Sequence, residues 1–110
     1  MEHFEFIETP VFSKQRSELL DDESFQKFQA FLLKHHEDGD TISKTGGCRK
    51  IRWGLESKGK QGGVRVIYFP MTAQGKIYLL LVYSKNRKDD LTETEKAVLY
   101  KISKFINGPQ

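Results

Sequence analysis

The sequence predicts an α+β domain, a small antiparallel sheet with helices packed on one side, in the order β-α-α-β-β-β-α. Three observations predict it. Two stretches with apolar residues at helical spacing precede Gly39, three runs rich in Ile, Val, Tyr and Phe follow it, and a capped amphipathic stretch closes the chain. At 110 residues the chain fits a single domain, 1–110, long enough to bury one core with little room for a second.

The first strand is expected around His3 to Ile7, where Phe4 and Phe6 alternate with polar neighbours and Thr9-Pro10 ends the run. Pro10 to Leu20 carries Val11, Phe12, Leu19 and Leu20 at roughly helical spacing, and proline suits a first helical turn. Asp21 and Asp22 offer a cap and a negative first turn to a second helix. Its apolar face is Phe25, Phe28, Phe31, Leu32 and Leu33, and it breaks at Asp38-Gly39.

Arg49 to Leu55, Val64 to Pro70 and Lys76 to Ser84 read as strands, with Met71 to Gly75 as a hairpin turn. The run Ile77 to Val82 is apolar on both faces and is expected to be the central, most buried strand. Thr92 and Glu95 form a capping box ahead of a helix with Val98, Leu99, Ile102, Phe105 and Ile106 on one stripe, and Asn107-Gly108-Pro109 stops it.

The net charge is only +3, but its distribution is uneven. From Ser43 to Lys88 there are eleven Lys and Arg against Glu56 alone, about +10, while the flanks are net acidic. Such asymmetry points to a polyanionic partner. No apolar run reaches the length of a membrane span and the start MEHFEFIETP lacks signal-peptide character, so a cytoplasmic protein is expected. Cys48 is the one cysteine, and His3, His35 and His36 are scattered, so the spacing suggests no metal site and the thiol is expected to be packed and neutral. The segment GKQGG lacks the Walker pattern, which removes support for nucleotide hydrolysis. Gly46-Gly47 and Gly62-Gly63 read first as turns.

The stretches GDTISKTGGCRKIRW, SKGKQGGVRVIYF and IYLLLVYSKNRKDDLT resemble the HigB branch of the RelE and ParE toxin superfamily, in the order G-D-x-I-x-x-T-G-G-x-R-K-x-R, K-G-K-x-G-G-x-R-x-I-Y, Y-x-K-x-x-x-x-D-L-T. The match spreads over more than half the chain. The resemblance implies a RelE-like fold and the toxin of a type II toxin–antitoxin system. Such a toxin enters the ribosomal A site, cleaves mRNA by attack of the 2′-hydroxyl without metal or cofactor, and is neutralised by a HigA-like helix-turn-helix antitoxin, through which alone the pair meets operator DNA. A ParE-like poison or a nucleic-acid-binding protein on the same scaffold is the alternative. Trp53 and Cys48 fall where the pattern fixes nothing, and Phe69 stands where a second tyrosine is common.

RNA cleavage through the 2′-hydroxyl needs a proton acceptor, a proton donor and positive charge on the transition state. No histidine lies in the basic segment, so Lys, Arg and Tyr are the candidates. Arg65 matches the family's essential arginine, and its planar fork suits a phosphate; a solvent-facing or carboxylate-paired arginine is the bland alternative. Lys58 and Lys60, two residues apart, suit successive phosphates, with a proton-transfer role for one of them left open. Tyr83 and Lys85 share one face at the end of the last strand. Tyr83 is suited to stacking or proton relay, with packing as its rival, and Lys85 to general acid catalysis or charge neutralisation. Arg49, Lys50, Arg52, Arg87 and Lys88 are expected to contact RNA, although Arg49 and Arg52 lie on opposite strand faces. Tyr68 is assigned mainly to the core.

Overall fold

The computed structural model describes residues 4–54, 63–84 and 90–108. Strand β1 (Glu5–Glu8) leads into helix α1 (Pro10–Leu19), whose cap is Thr9, with the hydroxyl accepting from the Phe12 amide at 3.0 Å. Helix α2 (Asp22–His35) is capped by Asp21, and Asp22 and Glu23 place negative charge on its first turn. Strands β2 (Asp40–Thr41), β3 (Arg49–Trp53), β4 (Val64–Phe69) and β5 (Lys76–Ser84) follow. Helix α3 (Glu93–Asn107) then starts in the Thr92–Glu95 capping box and ends at Gly108 in positive φ.

The sheet order is β1-β5-β4-β3-β2. The α+β class and the order of the expected elements stand, with the two-residue β2 as an addition. Three details of the expectation are corrected.

The sheet is mixed: β1 runs parallel to β5, because β5 returns from the β4–β5 hairpin in the direction in which β1 enters, and the other pairs are antiparallel. The helices take both sides. Phe12, Phe25, Phe28 and Leu32 of α1 and α2 pack with Val64, Val66, Tyr68, Ile77, Leu79 and Val82, whereas Leu99 and Ile102 of α3 pack with Ile67, Leu80, Tyr83 and Cys48 on the opposite face. Period-2 alternation sends the apolar residues of β4 and β5 to both faces, and each face needs its own cover. Finally, β4 rather than β5 is central and more completely buried. Both strands have a neighbour along each edge, but β4 is the middle strand of the five and buried up to Tyr68, while Lys76, Tyr78, Leu81 and Ser84 of the longer β5 are half-buried.

A register shift between Ile67 and Tyr68 leaves Leu80 as an extra residue on β5, so Leu80 and Leu81 both belong to the α3 side. Trp53 anchors β3 to α2, its indole N–H donating to Ser24 Oγ at 3.1 Å and its ring lying against Phe28 and Phe31. Cys48 is buried beside Ser103 Oγ (3.2 Å), and burial pushes its thiol pKa up, in keeping with a packed neutral thiol. Gly46, Gly47 and Gly63 all have positive φ, which supports the turn reading. At Gly63 the need is steric as well, since a Cβ would lie 2.1 Å from the Trp53 carbonyl oxygen.

Candidate functional site

The pairing of β3, β4 and β5 decides which candidate residues meet. Arg52 stands opposite Arg65, and Arg65 opposite Tyr83, so the three form one cross-strand row on the face that α3 partly covers. Lys50, two residues from Arg52 and opposite Ile67, lies on the same face. Two arginines directly opposite in a ladder repel each other, and such an arrangement is unfavourable unless an anion joins them.

Arg65 is 8% exposed, and its Nη1 is buried with no hydrogen-bond partner among the described residues. A buried guanidinium donor left unmatched costs on the order of 1–3 kcal/mol or more. The rival reading of a solvent-facing strand arginine therefore fails, and no carboxylate is bonded to it among the described residues. A guanidinium so placed can accept a ligand with acceptor oxygens as its partner.

Tyr83 is buried beside it. Burial, then the nearby carboxylate of Asp90, pushes the phenol pKa up, while Arg65 pulls it the other way. The phenol thus stays protonated at neutral pH and keeps a proton that it can donate.

Arg65 also lines an open cleft of about 360 Å³ with Lys50, Ile51 and Arg52 of β3 and with Asp38, Gly39 and Asp40 of the α2–β2 turn. The turn is fixed by residues from three places. Tyr68 Oη donates to the His36 carbonyl at 2.7 Å and accepts from the Gly39 amide at 3.1 Å. Arg49 Nη1 donates to the carbonyls of Glu37 and Gly39, each at 2.9 Å, and His35 Nδ1 lies 2.6 Å from Asp38 Oδ2. Gly39 is required here: a Cβ would come within 2.5 Å of Tyr68 Oη.

The core assignment of Tyr68 agrees with this placement, and burial raises its pKa. Arg49 stands opposite Tyr68, on the face away from Arg65, with its guanidinium engaged by backbone. Of the candidate residues, then, the fold brings Lys50, Arg52, Arg65 and Tyr83 together and sets Arg49 apart. Lys58, Lys60, Lys85, Arg87 and Lys88 lie outside the described residues. Sequence reasoning missed the acidic wall of the cleft, Asp38 and Asp40. The signal was present, because Gly39-Asp40 heads the first quoted motif, but a turn glycine and an exposed acid carried no role of their own.

A small mixed sheet sandwiched between a helical pair and a C-terminal helix, with a basic row at the open end of one face, defines a compact α+β class. No family model matches the sequence. Among solved structures the chain is similar to a double arginine-to-alanine variant of the E. coli toxin RelE in the free state, with TM-score 0.55 and 16% identity over 89% of this chain and 96% of that one. It is also similar to the isolated E. coli RelE toxin in a P21 crystal form, with TM-score 0.49 and 14% identity over 91% and 99% of the two chains. The first of these likenesses gives the fold its name: this is a RelE fold.

Proposed function

We propose that this chain is the toxin of a type II toxin–antitoxin pair, a ribosome-dependent mRNA endoribonuclease of the HigB branch that works in the cytoplasm. The observation that carries the reading is the buried Nη1 of Arg65, unmatched among the described residues, at the open end of a basic row in a RelE fold. Consistent with a cytoplasmic protein, no helix among the described residues is long and apolar enough to cross a membrane.

In the proposed reaction the 2′-oxygen of the mRNA attacks the adjacent phosphorus, the P–O2′ bond forms and the P–O5′ bond breaks. The products are a 2′,3′-cyclic phosphate and a free 5′-hydroxyl. Arg65 holds the non-bridging oxygens as their charge grows, and Arg52 and Lys50 bind neighbouring phosphates. The protonated Tyr83 phenol supplies a hydrogen bond beside Arg65. Lys58 and Lys60 are assigned to the RNA backbone, with acceptance of the 2′-proton open to one of them, Lys85 to protonating the leaving oxygen or neutralising phosphate charge, and Arg87 and Lys88 to further phosphate contacts. The partners are the ribosomal A site with its mRNA and a HigA-like helix-turn-helix antitoxin.

Primer extension on mRNA from cells expressing the chain tests this. Discrete new 5′ ends within translated frames, absent with Arg65→Ala, are expected. Growth arrest with intact mRNA and gyrase-linked DNA damage would overturn the nuclease reading in favour of a ParE-like poison.

A further inference from the structure

The cleft beside Arg65 is lined by opposite charges on opposite walls. Lys50, Arg52 and Arg65 form the sheet wall, and Asp38 and Asp40 form the turn wall. A site for phosphate alone gains nothing from two carboxylates, which repel an anion. Resting on the nuclease reading above, we infer that this cleft is a nucleobase subsite: it takes the base next to the phosphate held by Arg65, and Asp40 selects a base that presents an amino group.

Three observations carry this. Asp40 stands opposite Lys50 and so projects to the face that holds Arg52 and Arg65, and it lines the same cleft as both from two strands away, with Lys50 of β3 between. Arg65 is more than nine-tenths buried, lines the cleft and has an Nη1 without a partner among the described residues, so the cleft wall carries a guanidinium with unused hydrogen-bonding capacity.

The two carboxylates also differ in freedom. Asp38 Oδ2 is held by His35 Nδ1, whereas Asp40 has no side-chain hydrogen bond or ion pair among the described residues. The backbone carrying both is locked by Tyr68 and Arg49, so Asp40 is offered from a rigid turn. A carboxylate only accepts hydrogen bonds, so it pairs with the amino group of cytosine, adenine or guanine, while on uracil it is repelled by O4 and finds only the N3–H as a donor. Asp40 is thus a specificity-determining residue of the proposed reaction, and Tyr68, Arg49 and Gly39 are positioning residues.

Cytosine and uracil differ at one exocyclic group, which makes them the sharpest probes. The whole chain would be titrated with cytidine 3′-monophosphate, uridine 3′-monophosphate and inorganic phosphate, followed by calorimetry and amide chemical shifts. Cytidine nucleotide is expected to bind about fivefold or more tighter than uridine nucleotide, with shifts at Asp40, Lys50 and Arg52 that phosphate alone does not produce. Asp40→Asn should bring the two nucleotides within about twofold, because an amide both donates and accepts. Asp38→Asn should keep the preference.

Equal binding of the two nucleotides by the native chain, an undiminished preference in Asp40→Asn, or shifts fully reproduced by phosphate would overturn the inference. A native-like amide spectrum of Asp40→Asn keeps the comparison valid. No ribosome is involved, so a chain that shows the preference yet cuts no mRNA would sink the nuclease reading and leave the subsite standing, while cleavage without any preference would do the reverse.

Discussion

Along β4, Val64, Val66 and Tyr68 point to one side and meet Phe12, Phe25, Phe28 and Leu32 under two helices, while Arg65 and Ile67 point to the other, where α3 covers the Ile67 end through Leu99 and leaves Arg65 beside Lys50, Arg52 and the cleft. Both sides are buried at β4, but by different means. The first is closed by apolar packing that is complete without a ligand. The second encloses a charged group whose hydrogen bonding is incomplete among the described residues, which is the observation on which the proposed chemistry rests. Stability and function are thus separated by the alternation of a single strand, and substitutions on the two sides should fail in different ways.

The largest expected effect lies on the closed side. Phe28 is fully buried and packs edge-on to Trp53. Phe28→Ala should lower the unfolding free energy by about 3–5 kcal/mol, measured by denaturant titration, through lost burial and the cavity left behind. Next comes Arg65→Ala on the other side, expected to keep the fold and lose about 100- to 1000-fold in mRNA cleavage, the scale of removing one charge-stabilising donor. If Phe28→Ala were as stable as the native chain, or Arg65→Ala cleaved at the native rate while folded, the division between the faces would collapse.

The fold was legible because its signals are local. Caps at Thr9, Asp21 and Thr92 and the apolar stripes of α2 and α3 lie within a few residues of what they specify. The side on which α3 packs was not legible, since an amphipathic stripe says that a face is buried and not against what. The same limit applies to the site. The row of Arg52, Arg65 and Tyr83 depends on strand register, and Arg49, one residue from Lys50 in sequence, is consumed by the α2–β2 turn. Charge counting sees both as cations; only pairing separates them.

A smaller effect tests the α2–β2 turn that Tyr68 holds from the closed side. Tyr68→Phe removes the hydroxyl that ties the His36 carbonyl to the Gly39 amide and should cost about 1–3 kcal/mol at neutral pH. The raised pKa adds a pH signature. The folded state ionises Tyr68 less readily than the unfolded chain, so this contribution is fully present below the ordinary value of 10.0 and is lost as pH rises through the higher folded value. The variant should therefore show a shallower alkaline loss of stability than the native chain; identical slopes would mean that the phenol is not held as described.

The smallest effect compares two neighbours that face opposite ways. Lys50 shares the open face with Arg65 and lines the cleft, whereas Arg49 spends its guanidinium on the carbonyls of Glu37 and Gly39. If the open face meets the RNA backbone, removing one phosphate contact releases one counterion fewer. Lys50→Ala should then flatten the log–log dependence of ribosome binding on salt by roughly 0.7–0.9. Arg49→Ala should leave that slope in place and instead loosen the turn, visible as a lower melting temperature. The slope is the right observable because it counts ionic contacts and is insensitive to a uniform loss of folded protein. Should Arg49→Ala flatten the slope as much as Lys50→Ala, RNA would have to reach both sides of β3, and the assignment of one face to stability and the other to binding would be wrong.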